Sequence, residues 1–335
     1  MRPIILAIFV FSMPSCKKEQ APTPFTGNEQ WAVSVNNIYN YKNAVQLIGA
    51  NALNVFSAGS SDMNNWHLDI AREFVGNMEQ EPLSGNVVLD SNGSYLYPLQ
   101  TIVDSNRANN RITILCPFGW NGKSSSVFSG LMPTQTYWWN DYKIKMAQWA
   151  TQFANQPDVW IEVWNEPYRY DRTDGYTDDI WTRDMNSMVN IIRNSGNKNI
   201  VLVPCAEQGQ DESVLNNKGN SFLLGKNNIL FDIHAYEKWL LVPTTTMGDR
   251  LAQLQQNKLP ILFGETAPMN AGTLMNPAPF LDSVYNRGIS VCAWVWKYDS
   301  SDQDALLTAG GQPNNTNNNN WGSIFQSLCL SPRKP

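Results

Sequence analysis

The sequence predicts an α/β protein built as a single (β/α)8 barrel, and three observations lead there. Eight short apolar segments rich in Val, Ile and aromatic residues recur along the 335 residues, as in parallel strands covered on both faces. Between them, apolar residues return every three or four positions, the period of an amphipathic helix. Two of the segments end in a carboxylate, Glu166 and Glu265, which stand 99 residues apart. At about 30 residues per strand–helix unit, that spacing is three steps around a parallel barrel.

Taken in order, the chain opens on a positive Met1-Arg2-Pro3 and an apolar stretch from Ile4 to Phe11, too short to span a bilayer. The following Ser12-Met13-Pro14-Ser15-Cys16-Lys17-Lys18 resembles a bacterial lipoprotein leader. Residues 1–16 are therefore read as a signal segment with Cys16 as the lipidated residue. This implies export to the outer membrane or cell surface, or otherwise to the periplasm or medium. Residues 17–27 are polar and Pro-containing, a flexible tether, and 28–330 form the barrel domain. The strands are expected at Ala52–Ser57, Ile70–Gly76, Ile112–Phe118, Val159–Asn165, Ile200–Pro204, Ile229–Ala235, Pro260–Gly264 and Val291–Trp296. The clearest helical patterns are Tyr142–Ala150 and Trp181–Arg193; the second has an N-cap at Thr177, an acidic first turn and a stop at Gly196. The run Asn314–Asn320 has no period and no apolar residue, so it is expected to be a floppy polar loop.

Composition narrows the function classes. The formal charge is −5 and no basic run exists, which removes nucleic acid as a partner. Two histidines, His67 and His234, are too few for a histidine metal site, and no cysteine pair shows ligand spacing. No metal and no cofactor are expected, and Cys116, Cys205, Cys292 and Cys329 read as buried thiols. Thirteen tryptophans offer flat faces that stack on sugar rings.

Val159-Trp160-Ile161-Glu162-Val163-Trp164-Asn165-Glu166-Pro167 is an apolar strand that ends by presenting an amide beside a carboxylate. Pro167 cannot donate to a ladder and biases Glu166 toward extended backbone, so the strand stops there. A carboxylate at the mouth of a buried strand is poorly solvated, which suits it to surrender a proton near neutral pH. Leu259-Pro260-Ile261-Leu262-Phe263-Gly264-Glu265-Thr266 repeats the design, with Gly264 allowing close backbone approach. Glycoside hydrolysis needs two such carboxyl groups flanking one bond.

Asn165-Glu166-Pro167 followed by a strand-end Glu265 resembles the clan A glycosidases, above all glycoside hydrolase family 5. The resemblance implies Glu166 as acid/base and Glu265 as nucleophile of a retaining reaction. His234 and Tyr236 resemble the family's sixth strand and Trp294-Val295-Trp296-Lys297 its eighth, while Arg72 resembles the arginine beside the nucleophile. Asn165 is implied to bond the sugar, Trp296 to floor the sugar site and Trp294 to lie deeper. Trp120, Trp138, Trp139 and Trp239 are candidates for stacking subsites or for packing. Where family members often carry a third-strand His, this chain reads Leu115-Cys116-Pro117-Phe118-Gly119-Trp120. The resemblance implies a β-linked polysaccharide as substrate, β-1,4-glucan first and β-mannan second, and a monomer is expected. The rival reading is a glycan-binding surface lipoprotein that kept the barrel and lost turnover.

Overall fold

The computed structural model describes residues 29–52, 61–297 and 302–334. Eight parallel strands close a barrel: β1 (Ile48–Ala52), β2 (Ile70–Val75), β3 (Ile112–Pro117), β4 (Val159–Glu162), β5 (Val201–Pro204), β6 (Ile229–Ala235), β7 (Ile261–Thr266) and β8 (Ser290–Ala293). Their order around the barrel is their order in sequence, with β8 pairing back onto β1. The helices are α1 (Leu99–Ala108), α2 (Trp139–Gln152), α3 (Asp178–Asn194), α4 (Ser213–Leu223), α5 (Glu237–Leu240), α6 (Thr244–Gln256), α7 (Ala278–Asn286) and α8 (Trp321–Leu330). Both predicted helices lie within α2 and α3. The Thr177 hydroxyl accepts from the Ile180 N–H, an N-cap that satisfies one orphan donor.

Seven of the strands sit where the apolar segments place them, within a few residues. The first does not. The segment Ala52–Ser57 meets the observed strand only at Ala52, and residues 53–57 lie outside the described residues, as do the leader, Cys16 and the tether. The real β1, Ile-Gly-Ala-Asn-Ala, is built from small residues of low strand propensity. Their smallness is what the barrel needs here, because a Cβ on Gly49 would fall 2.6 Å from Ile70 Cβ and 2.7 Å from Cys292 Sγ.

Ahead of β1, Trp31–Ser34, Asn37–Asn40 and Asn43–Val45 form an antiparallel sheet that the sequence reading did not contain. Trp31 meets Trp160 edge to face at 5.8 Å, and Trp31, Val33 and Val45 pack against Ile70, Ile112, Ile200, Leu230 and Leu262. These five stand at or near the N-terminal ends of their strands, so the sheet covers that end of the barrel. Beyond α8 the chain stays attached: Arg333 donates to Asp69 at 2.7 Å and Gln46 N–H to the Lys334 carbonyl at 3.0 Å.

The Asn-rich run is ordered by its own amides. Asn314 and Asn318 are buried; their Nδ2 groups donate to the carbonyls of Ala305 and Asp302, and of Gln303 and Asn314. Asn317, Asn319 and Asn320 take positive φ, which asparagine tolerates better than other non-glycine residues. All four cysteines among the described residues are free and buried.

Candidate active site

At the C-terminal mouth of the barrel one guanidinium organises the centre. Arg72 on β2 is fully buried and directs its donors at four side chains. Nε and Nη2 grip both oxygens of Glu162 at 2.7 and 2.8 Å, Nη1 donates to Asn51 at 2.8 Å and to Glu265 at 2.7 Å, and Nη2 donates to Asn165 at 3.0 Å. Those five bonds match the five N–H groups a guanidinium carries. The pairing with Glu265 was expected from the sequence; the bidentate pairing with Glu162 was not.

Glu265, on β7, is held at both oxygens, Oε1 by Arg72 and Oε2 by the Tyr236 hydroxyl at 2.8 Å. Burial pushes its carboxyl above the ordinary carboxylate range, against the downward pull of His234, Arg72 and the Tyr236 hydrogen bond. His234 stands opposite Glu265 in the β6–β7 register, just past an irregularity at Ile233/His234. Its Nδ1 lies 2.9 Å from Glu166 Oε1 and 3.4 Å from Glu265 Oε2, and its Nε2 lies 3.3 Å from Asp232. Burial alone would push the imidazole down; the charges of Glu265 and Asp232, with hydrogen bonds from both sides, outweigh it and hold His234 well above its usual range. Two glycines make room for this packing. A Cβ on Gly264 would sit 2.2 Å from Asp232 Oδ1, which accepts the Gly264 N–H at 2.7 Å, and one on Gly209 would sit 2.8 Å from the His234 ring.

Glu166 leaves β4 differently from the expectation. The ladder ends at Glu162, and Glu166 has a φ of +50° instead of the extended backbone that a following proline favours. Such a conformation in a non-glycine residue costs on the order of 1–3 kcal/mol and persists only where its surroundings impose it. Its carboxylate accepts from Ser129 Oγ at 2.6 Å and faces His234. One oxygen each of Glu166 and Glu265 lies within 4.8 Å of the other and of a His234 ring nitrogen. Asn165 Nδ2, beside them, is buried and meets no acceptor among the described residues.

The tryptophans need correcting. Trp296 is 1 % exposed, its ring edge-on to Trp66 at 5.2 Å within the main core. Trp294 is the half-exposed one, against Phe74 at 4.6 Å and stacked with Phe118. The expected depths are thus reversed: Trp294 is the more exposed of the two and packs against the cluster that holds Tyr236. Trp120 is also core: it is 3 % exposed and lies parallel to Trp138 at 6.3 Å. Trp138 and Trp239 are buried as well, and Trp139 only partly. Cys116 stands at the end of β3, its thiol 3.7 Å from Asn165 Oδ1 and pushed up by burial. Sequence reasoning missed Asn51, Glu162, Asp232, Ser129 and Gln208. Glu162 and Asp232 carried a signal, since a polar residue inside a strand buried on both faces must have a partner, whereas Asn51 precedes the strand expected at Ala52–Ser57.

The sequence model of the family described as Cellulase (glycosyl hydrolase family 5) matches residues 19–300. The chain is similar to a curated protein of Cellvibrio japonicus named mannan endo-1,4-beta-mannosidase, 22% identical over 274 residues. That match covers 79% of this chain but 61% of the relative's own length. In fold it is similar to a β-mannanase from Streptomyces thermolilacinus (TM-score 0.64, 17% identity, 83% of this chain and 89% of that one). It is likewise similar to a β-mannanase from Thermomonospora fusca (TM-score 0.68, 15% identity, 89% and 97%).

Proposed function

Since the chain belongs to glycosyl hydrolase family 5, a retaining family, we propose that it is an endo-β-1,4-mannanase with Glu166 as acid/base and Glu265 as nucleophile. The observation that carries the reading is the pair of carboxylates at one barrel mouth with oxygens within 4.8 Å. Oxygens within that limit fit the roughly 5–5.5 Å spacing of retaining carboxyl pairs better than the roughly 6.5–9.5 Å that inverting pairs keep open for water. Glu265 attacks the anomeric carbon as Glu166 gives its proton to the departing glycosidic oxygen. Glu166 then takes a proton from the water that displaces Glu265 from the glycosyl-enzyme. Arg72 and Tyr236 support the nucleophile role by holding both Glu265 oxygens. The orphan Asn165 Nδ2 is a donor waiting for a sugar hydroxyl, and Trp294 offers the apolar face beneath the ring.

The substrate rests on the names of the relatives, which favour β-mannan over the β-1,4-glucan that the family resemblance implies first. Export as a lipoprotein through Cys16 belongs to the same reading and is supported by the leader motif. The test is initial rates on soluble mannan, glucan and xylan for wild type, Glu265→Ala and Glu166→Ala. Mannan should turn over fastest. Azide should restore part of the Glu265→Ala activity, and Glu166→Ala should spare activated aryl glycosides far more than mannan. Fastest turnover of glucan would replace the substrate. Equal loss of Glu166→Ala on both substrate types would remove its role as acid.

A further inference from the structure

Glu166 has a carboxylate whose plane no rotamer fixes, because the last torsion of a glutamate is broad and two-fold. In this protein His234 meets one of its oxygens, and a four-residue stretch of the loop after β3 runs beside the end of β4 and holds the other. Phe128 stacks on Trp164 at 4.1 Å, and its carbonyl accepts the Trp164 indole N–H at 3.0 Å. Ser129 Oγ donates to Glu166 Oε2 at 2.6 Å, and the Gly130 N–H donates to the Glu166 carbonyl at 2.8 Å. The Leu131 carbonyl accepts the Tyr168 N–H at 2.9 Å. The clamp thereby grips the indole before Glu166, its side chain, its backbone and the backbone two residues on.

Ser129 is itself oriented. Gln208, on the loop after β5, donates through Nε2 to Ser129 Oγ at 2.8 Å, while its own N–H is placed by the carbonyls of Pro167 and Tyr168. A hydroxyl has one hydrogen and two lone pairs. With a lone pair taken by Gln208, the hydrogen points at Glu166. The contact at 2.6 Å lies in the range of hydroxyl-to-carboxylate bonds strengthened by charge, roughly 2.5–2.7 Å.

We infer that Ser129 and Gln208 are positioning residues for the acid/base, a relay that aims Glu166 and strengthens as its carboxylate charge develops. The inference rests on Glu166 being the acid/base. Loss of its proton to the leaving group creates negative charge on Glu166 in the transition state, and a fixed donor aimed at that charge lowers the barrier. Ser129 reaches the substrate only through Glu166, so binding of the sugar should not depend on it.

The experiment is steady-state kinetics on soluble mannan and on an aryl glycoside with a good leaving group. The variants are Ser129→Ala, Ser129→Thr, Gln208→Met, the Ser129→Ala/Gln208→Met double and Glu166→Gln. Ser129→Ala should lose about tenfold or more in kcat on mannan, with KM nearly unchanged and far less loss on the aryl glycoside. Ser129→Thr, which keeps the hydroxyl, should recover most of it. Gln208→Met should lose less than Ser129→Ala and add nothing in the double variant, because it acts through the same hydroxyl. Ser129→Ala with unchanged kcat, or with equal loss on both substrates, overturns the relay. If instead Glu166→Gln itself loses equally on both substrates, the acid/base assignment fails first.

Discussion

Arg72→Met tests whether one cation holds the site together. Arg72 is fully buried and spends its donors on Glu162, Asn51, Glu265 and Asn165. Removing it leaves Glu162 without its bidentate partner, Glu265 without one of two donors and Asp232 without a cation at 3.8 Å. Breaking a buried ion pair from one side costs about 3–5 kcal/mol, because a charge is left unpaired. An unfolding entropy of about 2.1 cal/mol/K per residue over 335 residues gives about 0.7 kcal/mol/K, so Tm should fall by about 4–7 °C. The penalty should depend on pH. Burial already pushes Glu162 up to about 7 with Arg72 in place; without the cation its folded form binds a proton still more readily. A carboxyl with a raised folded pKa contributes fully below its unfolded value and loses that contribution as pH climbs from there to the folded one. The Tm deficit should therefore be larger at pH 8 than at pH 5. Adding Glu162→Gln, which removes the orphaned charge, should recover part of the loss at pH 8. Calorimetry of the single and double variants is the assay. A single variant melting within about 1 °C of wild type at pH 8, or a double variant less stable than the single, would refute the account.

Two further outcomes are expected. Glu81 is 2 % exposed, neither of its oxygens meets a donor among the described residues, and burial and the negative Asp90 push it up to about 9. Between about 4.5 and 9 the unfolded chain loses a proton that the folded state keeps, so this residue destabilises increasingly, by about 1.4 kcal/mol per pH unit. Glu81→Gln should match wild type near pH 4 and melt higher at pH 8; parallel melting curves across that range would rule this out. Cys16→Ser should move the enzyme from the membrane fraction to the soluble one without changing its rate on soluble glycan. Wild-type protein already free, with its N-terminus cut elsewhere, would end the lipoprotein reading.

The sequence was most informative where chemistry and secondary structure coincide. Glu166 and Glu265 were legible because each ends an apolar run, and Arg72 because a charge inside a buried strand needs an opposite one. By the same rule Glu162 and Asp232 were readable, and treating their segments as apolar runs hid them. β1 was misplaced because Gly49, Ala50 and Asn51 look unlike a strand; their small size answers to neighbours such as Ile70 and Cys292 that lie far away in sequence. Trp294 and Trp296 are two apart and share a residue type, so only their burial separates the partly exposed indole from the one in the core. No local pattern reports that. Ser129 sits in an unremarkable Ser/Gly-containing stretch, and its role depends on where two distant loops meet.

The two carboxylates are held by different kinds of structure. Glu265 is on a strand, and the groups on its oxygens come from Arg72 in the β2 ladder and from Tyr236, the residue next after the last ladder position of β6. Glu166 lies past the last ladder residue of β4 at a positive φ; one of its oxygens faces His234 of β6, and the Ser129 and Gln208 that orient the other come from loops. Strand ladders set position through many backbone bonds at once, whereas a loop contact can be altered by one substitution. The proposed nucleophile is thus fixed by the fold itself, and the proposed acid/base in part by loop residues that can change while the barrel stays intact. In the proposed reaction the acid/base faces the departing part of the chain. Changes in the loops after β3 and β5 should therefore alter which leaving group is accepted before they alter which sugar is attacked.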